Sequence, residues 1–307
     1  MTQADLVPAP ADAVPVSSPV DPPVENKLPP TPEGYIRVRN LTDCPSDWDP
    51  DELVQETFIK GPPDGERLVV CGVGCLYYWP DDPSRVVKVA RSTPEANAQI
   101  EIEKRIYSRF EEKGYHPNII KCLRYDDSGI YLERAEHGSL TAYFEEGGDA
   151  SLTERLQWSY DLADAIQYLH DLGIRHADLV GRNILLDSSR RVRLCDFGGS
   201  GIDGEKPIVV SSVYYGHPDD DERTACTVKA ELHTLGSVIY EISTSRMPFH
   251  DKRGYDVGQL FKKGIYPDVK DIVLGDVIAK CWAGEFTTAR EVAESIKFAK
   301  GRALQET

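Results

Sequence analysis

The sequence predicts an α+β protein of two lobes, a small β-rich one followed by a larger helical one. Three observations carry this. β-branched and aromatic runs cluster between Arg67 and Glu133, interrupted by one helical pattern from Pro94 to Lys113. From Ser151 onward the apolar residues recur mainly at helical spacing. Between these regions lies Ile174 to Asp203, where a short apolar hairpin joins two loops carrying Asp178, Asn183 and Asp196. The expected organisation is a tail over 1–33, an N-terminal extension over 34–66 and a two-lobed domain over 67–300, split into about 67–133 and about 138–300.

Composition bounds the function. With 307 residues and 40% hydrophobic content the chain can bury a core. Its 35 basic and 51 acidic residues leave a charge of −16, which argues against a nucleic-acid partner. No apolar run approaches the roughly 20 residues of a membrane helix. No basic segment followed by an apolar one opens the chain, so a signal peptide is not expected. Seven scattered cysteines make neither a disulfide framework nor a paired zinc motif. Reduced, buried thiols place the chain inside the cell, in cytoplasm or nucleus.

Taken in order, residues 1–33 are rich in Pro, Ala, Val and Asp and are expected to be disordered. LPPTP at 28–32 either docks on a partner as polyproline II or serves as a linker. Tyr35, Trp48 and Phe58 return apolar content to 34–65, and DWDPDELVQETF is expected to start a short helix at Asp49 or Asp51. RLVVCGVG reads as a strand entering a glycine turn, and LYYW and SRVVKVAR as two more strands about PDDPS. Lys88, among valines, either faces solvent or is drawn inward by an anion. The next helix favours the second alternative. Pro94 to Lys113 has Gly114 as its cap, and Glu103 shares a face with Ile100, Ile106, Tyr107 and Phe110. A carboxylate on a buried face is expensive unless paired. Lys88 is the partner at hand, while Glu101 and Glu111 face solvent.

HPNIIKCLRY and GIYLERA read as strands about the turn DDS. Ser151 to Leu172 reads as a helix with a Ser151/Glu154 capping box, an apolar stripe of Leu152, Leu156, Ala163, Ile166 and Leu169, and a stop at Gly173. ILL and VRLC form a hairpin about DSSRR, which draws Asn183 and Asp196 toward Asp178. Three oxygen-bearing side chains at one spot suit Mg²⁺ beside a phosphate, or one of them orients a hydroxyl nucleophile. Residues 228–246 read as a buried helix, and Lys270 to Leu304 as helical runs with short breaks. The lobes meet near Glu133 to Gly138, and clefts of that kind hold ligands.

VVKVA, EKRIY, HADLVGRN, CDFGGS and ELHTLGSVIYEI…MPF, in that order, resemble the eukaryotic protein kinases over about Arg67 to Ala299. The resemblance implies ATP and Mg²⁺ as cofactors and a protein hydroxyl as acceptor. On it, Lys88 holds the α- and β-phosphates and is kept in place by Glu103. Asp178 orients the attacking hydroxyl and accepts its proton, and Asn183 and Asp196 hold magnesium. Gly72 and Gly74 belong to the phosphate-covering loop. Val86, the gatekeeper Leu132, the hinge Glu133 to Ala135 and Leu185 surround adenine.

The departures from that family are specific. Tyr77 stands at the third glycine, Trp79 near the valine that covers adenine, and Val86 at an alanine. Ala177 replaces the arginine that receives an activation-loop phosphate, so no switching of that type is expected. Ser211, Ser212, Tyr214 and Tyr215 are then expected to be structural. Val180 replaces the phosphate-steadying lysine of Ser/Thr kinases, and Arg182 stands where tyrosine kinases carry an arginine whose cation reaches the same phosphate. SSVYYGHPD places Ser212 at the threonine that contacts Asp178 in Ser/Thr kinases and Asp219 at the APE glutamate, with no clear arginine partner. Glu231 replaces the aspartate of the buried helix. With DFGGSGIDG, these changes are similar to lineage-expanded kinases of filamentous fungi. Tyr107, Cys122, His176 and Phe197 fall where the family stacks its regulatory spine, Cys195 reads as packing, and His217 and His233 receive no role. The expected protein is a Ser/Thr-directed kinase, the alternatives being a nucleotide-binding pseudokinase scaffold or a tyrosine-directed kinase. A small-molecule phosphotransferase shares HxD…N but lacks the long C-lobe pattern, and a purely acidic interaction protein leaves the Lys88–Glu103 pairing unexplained.

Overall fold

The computed structural model describes residues 35–40, 55–60, 67–71, 74–79, 82–90, 93–218, 227–303 and 305. The expected tail, the LPPTP segment, the helix start at Asp49 or Asp51, Gly72 and Asp219 lie outside the described residues. Strands β1 (Tyr35–Asn40) and β2 (Gln55–Lys60) pair antiparallel as a separate two-stranded sheet. QETF, which closes the DWDPDELVQETF run, is extended, so no helix begun at Asp49 or Asp51 continues through it; Thr57, Phe58 and Ile59 favour a pleated strand.

Five further strands form an antiparallel sheet: β3 (Arg67–Cys71), β4 (Gly74–Trp79), β5 (Asp82–Ala90), β6 (Cys122–Asp126) and β7 (Gly129–Glu133). Their order is β3-β4-β5-β7-β6, which puts β5 at the centre. Helix α1 (Pro94–Lys113) follows β5. The Thr93 side chain accepts from the Ala96 N–H, Pro94 opens the first turn, and Gly114, at φ 95°, donates its N–H to the Phe110 carbonyl. Its buried face is Ala96, Ile100, Glu103, Ile106, Tyr107 and Phe110, as the apolar spacing predicts. Full burial of Ile106 or Phe110 contributes about 2–3 kcal/mol each.

HPNII is not a strand. Pro117 lacks an N–H for a ladder, and the Ile119 N–H turns back to the His116 carbonyl at 3.1 Å. The segment instead fastens the β-rich part to the helical part. The Ile120 N–H reaches the Leu194 carbonyl at 2.9 Å, and Asn118 Nδ2 reaches the Val192 carbonyl at 3.0 Å.

The C-lobe contains α2 (Leu140–Glu145), α3 (Leu152–Asp171), α4 (Val228–Thr244), α5 (Gly254–Lys262), α6 (Gly275–Ala283) and α7 (Ala289–Ala303). The Ser151/Glu154 capping box is present in both directions. Leu152, assigned to the apolar stripe, is 45% exposed, because the first helical position points away from the core. Short strands β8 (Ile174–Arg175), β9 (Ile184–Leu186), β10 (Val192–Leu194) and β11 (Gly201–Ile202) pair as β8·β11 and β9·β10. The β9·β10 pair is the expected hairpin, whereas β8·β11 has no counterpart in the sequence reading. Among the described residues, no helix is long and apolar enough to cross a membrane.

Phe110 joins the lobes by ring contact, its centroid 5.4 Å from Phe197 and 5.8 Å from Tyr168. Phe110→Ala is expected to lower stability by about 3–5 kcal/mol in urea unfolding. A loss under about 1 kcal/mol would show that this face does not hold the helix.

Candidate active site

The centre of the site is one lysine. Lys88 lies opposite Leu76 of β4 and Ile130 of β7, so its strand is paired on both edges. The residue is 3% exposed, and its Nζ lies 2.6 Å from Glu103 Oε2 and 2.6 Å from Asp196 Oδ1. Of the two readings open for a lysine among valines, the inward one holds. Two carboxylates share one ammonium, and they respond differently. Burial pushes the Glu103 carboxyl up, against the pull of Lys88, and the Asp196 charge adds to the rise. Burial acts upward on Asp196 too, but the Lys88 charge and hydrogen bond outweigh it and hold that carboxyl below the usual range. Glu103 is wholly buried, and its Oε1 has no hydrogen-bond partner among the described residues.

Strand β8 leads into His176, Ala177 and Asp178, and a 3₁₀ turn at Gly181–Asn183 leads out into β9. Ala177 and Asp196 adopt φ of 68° and 64°, a region unfavourable for residues bearing a Cβ. Ala177 is kept there from both sides: its N–H donates to Glu231 Oε1 at 3.0 Å and its carbonyl accepts from Ser211 Oγ at 2.9 Å. The other Glu231 oxygen meets His170 Nε2. Burial alone would raise the Glu231 carboxyl, but the His170 hydrogen bond and charge and the Ala177 N–H outweigh it and hold it down.

Asp178 is bracketed by two side chains. Arg182 Nη2 donates to both of its carboxylate oxygens, at 3.0 and 3.1 Å. Asn183 Nδ2 donates to the Asp178 carbonyl at 2.8 Å and to its Oδ2 at 3.0 Å. Asn183 is in turn tied to the Asp196 loop, since its carbonyl accepts from the Cys195 N–H at 3.0 Å. His176 is a packed core residue, as expected. Its Nδ1 accepts from the Asp178 N–H at 3.3 Å, which assigns the proton to Nε2, 2.9 Å from the Cys195 carbonyl. The Phe197 ring lies between Tyr107 and His176, at 5.7 and 5.3 Å, and Cys122 is buried.

A second buried acid supports the loop from below. Glu241 accepts from Thr141 Oγ1 at 2.7 Å and from the Tyr215 hydroxyl at 2.9 Å, and burial pushes its carboxyl up. A Cβ at Gly181 would stand 2.3 Å from Glu241 Oε2 and 2.4 Å from Thr141 Oγ1, so any side chain there would displace the Glu241–Thr141 pair. Sequence reading missed Glu241, although it sits in the apolar run SVIYEI and the reasoning used for Glu103 applies to it. His170 and Ser211 carry no such signal.

The remaining candidates sit where the two lobes adjoin. Val86 and Leu132 are buried and directly opposite on β5 and β7. The Glu133 N–H is bound to the Lys121 carbonyl, whereas the Ala135 N–H has no hydrogen bond among the described residues. Leu185 is half-buried in β9, bridged to Ser139. Gly74 opens β4, opposite Ala90. The expected contact of Ser212 with Asp178 is absent; the preceding residue, Ser211, bonds the loop instead, and the Ser212 carbonyl caps the turn at Tyr215 and Gly216. His233, without an assigned role, meets the Tyr215 carbonyl and the Tyr266 hydroxyl. Burial drives its titration down to about 3, so it is a neutral structural group.

Residues 84–274 match the model of the protein kinase domain, and the chain belongs to that family. It is similar to the RGS domain-containing serine/threonine-protein kinase A of Dictyostelium discoideum, 27% identical over 177 residues, 54% of this chain and 16% of that protein. It is also similar to the serine/threonine-protein kinase PDK1 of Cryptococcus neoformans, 27% identical over 179 residues, 52% of this chain and 15% of that protein. Over 212 residues it is 24% identical to the serine/threonine/tyrosine-protein kinase HT1 of Arabidopsis thaliana, covering 65% of this chain and 54% of that protein. The chain thus spans from 15% to 54% of the length of these curated relatives.

Removing one member of a buried ion pair strands the other. Lys88→Met is expected to destabilise the protein by about 3 kcal/mol in urea unfolding, and Lys88→Met/Glu103→Leu to recover most of that loss. A single variant as stable as the wild type would contradict the pairing.

Proposed function

We propose that the chain is an ATP-dependent protein kinase, directed to serine and threonine, that moves the γ-phosphoryl group of Mg·ATP to a protein hydroxyl. The observation that carries this reading is the buried Lys88 ammonium held between Glu103 and Asp196, with the Asp178–Asn183 pair tied to the same loop. Phosphoryl transfer needs positioning and charge stabilisation more than covalent help, and this arrangement supplies both.

Lys88 would hold the α- and β-phosphates, its position set by Glu103. Asn183 commits its amide nitrogen to Asp178, which leaves its Oδ1 without a hydrogen bond among the described residues and able, with the Asp196 carboxylate, to serve as a ligand. No cluster of three or more His, Cys, Asp or Glu exists among the described residues. Two protein oxygens, with phosphate and water completing the shell, fit Mg²⁺, a hard ion that keeps several waters. When bound, the ion would neutralise phosphate charge. Asp178, held by Asn183, would accept the hydroxyl proton once Arg182 leaves its carboxylate. Arg182 is 60% exposed at its side chain and can turn from Asp178 to the transferred phosphate. The Ala135 N–H would meet the adenine edge, with Val86, Leu132 and Leu185 around the ring, and Gly74 would belong to the loop that covers the phosphates. The serine/threonine direction is supported by the names of the relatives. Arg182 is the observation that favours a tyrosine-directed alternative.

The test is transfer from Mg·ATP to a basic protein substrate, wild type beside Asp178→Asn. Wild-type transfer is expected to exceed that of the variant by about 10²–10⁴-fold, with phosphoserine or phosphothreonine in the product. Nucleotide binding with equal, negligible transfer by both would defeat the proposal and leave the pseudokinase reading. Phosphotyrosine alone would overturn the stated direction.

A further inference from the structure

We propose that two arginine–carboxylate forks, Arg105 with Glu205 and Arg109 with Asp203, lock the Glu103 helix to the segment that follows Asp196, so that the site assembles without a phosphate on that segment. The inference rests on the kinase reading and names the regulation of the same site. Arg105 and Arg109 are one turn apart on α1, off its buried face. Arg105 Nη1 and Nη2 donate to the two Glu205 carboxylate oxygens, both at 2.9 Å. Arg109 does the same with Asp203, at 2.7 and 2.8 Å. Paired parallel bonds of this kind fix orientation as well as distance.

The carboxylates are presented by a built turn. Asp203 follows β11, adopts φ 56° and donates its N–H to the Gly173 carbonyl at 3.0 Å. Gly204 continues at φ 84°, and the Glu205 N–H returns to the Ile202 carbonyl at 2.9 Å. Through β8·β11 this turn is continuous with the strand that leads into Asp178. Arg109 makes a third contact, 3.1 Å to the Leu172 carbonyl, where α3 ends and cations are favoured. The two forks therefore connect the helix carrying Glu103, the segment carrying Asp196 and the approach to Asp178.

A phosphate-dependent alternative has little to act through. Ala177 offers no cation, and the Ser211 hydroxyl is already bound to the Ala177 carbonyl. Asp203 and Glu205 supply fixed negative charge to arginines, as a phosphate would elsewhere. All four side chains are partly exposed, from 27% for Arg109 to 56% for Glu205, so each fork alone is weak. They act as positioning residues for the Lys88–Glu103–Asp196 group and not as a foundation of the fold.

The experiment uses the full chain, treated with phosphatase and shown by intact mass to carry no phosphate. Wild type, Arg105→Glu, Arg109→Gln and the exchange Arg105→Glu/Glu205→Arg are compared by KM for Mg·ATP, kcat, and calorimetric affinity for a non-hydrolysable Mg·ATP analogue. Each single variant is expected to lose about 3- to 10-fold in kcat/KM and in analogue affinity, with melting temperature nearly unchanged. The exchange should recover most of the loss. Salt raised from about 50 to about 500 mM should weaken the wild type toward Arg105→Glu and affect that variant little. Single variants equal to the wild type, an exchange that recovers nothing, or activity appearing only with phosphate on the chain would each overturn the proposal. Failure of the kinase reading looks different. The wild type then transfers nothing, and the analogue affinities alone decide whether the forks position the site.

Discussion

A single buried ammonium shared by two carboxylates constrains most of this structure. Charges taken out of water repay their desolvation only in good geometry, so Lys88, Glu103 and Asp196 require their elements to meet within fractions of an ångström. Strand β5 is paired on both edges, which fixes Lys88. Thr93 and Gly114 fix the ends of α1 and hence the rotation of Glu103. The β9·β10 hairpin, bonded to Asn118 and Ile120, fixes the approach of Asp196.

The helical lobe repeats the device. Glu231 and Glu241 are both buried in α4, ten positions apart and so about 15 Å along the axis. One takes the N–H of Ala177 and the other crowds against Gly181, four residues on, so α4 carries the loop between them. Their opposite responses follow from their partners. Both meet a backbone N–H, but Glu231 also faces an imidazole that stabilises its charge, whereas the other partners of Glu241 are neutral hydroxyls and burial prevails. This support accompanies the loss of the arginine at Ala177: the backbone at that position is held by Glu231 and Ser211 even though no cation remains.

The sequence was legible where several local signals coincide. Pro94–Lys113 carries caps, a terminal glycine and a 3.6-residue stripe, and Glu103 broke that stripe with a charge that demanded a partner. The Ser151/Glu154 box and the DSSRR turn were readable for the same reason. HPNII failed because its apolar residues are buried in a loop that bonds β10 of the helical lobe at a single bridge and adds no strand to the five-stranded sheet. The strand at QETF was not read, because a short extended pair has too little pattern to stand out beside acidic, helix-starting neighbours. Ser211 and Ser212 differ by one register step, which alignment to a motif does not resolve. The arginine forks span 100 and 94 residues, and exposed charges on a helix leave no local trace of a distant partner. His170 was hidden likewise, in the last turn of α3.

The most direct measurement of the central claim, that Lys88 receives the phosphates of ATP, is chemical labelling by an ATP acyl phosphate followed by peptide mapping. This electrophile acylates the amine nearest the bound phosphates. The geometry predicts that Lys88 is the principal labelled lysine and that Mg·ATP protects it. Labelling spread over other lysines, with Lys88 unmodified or unprotected, would contradict it.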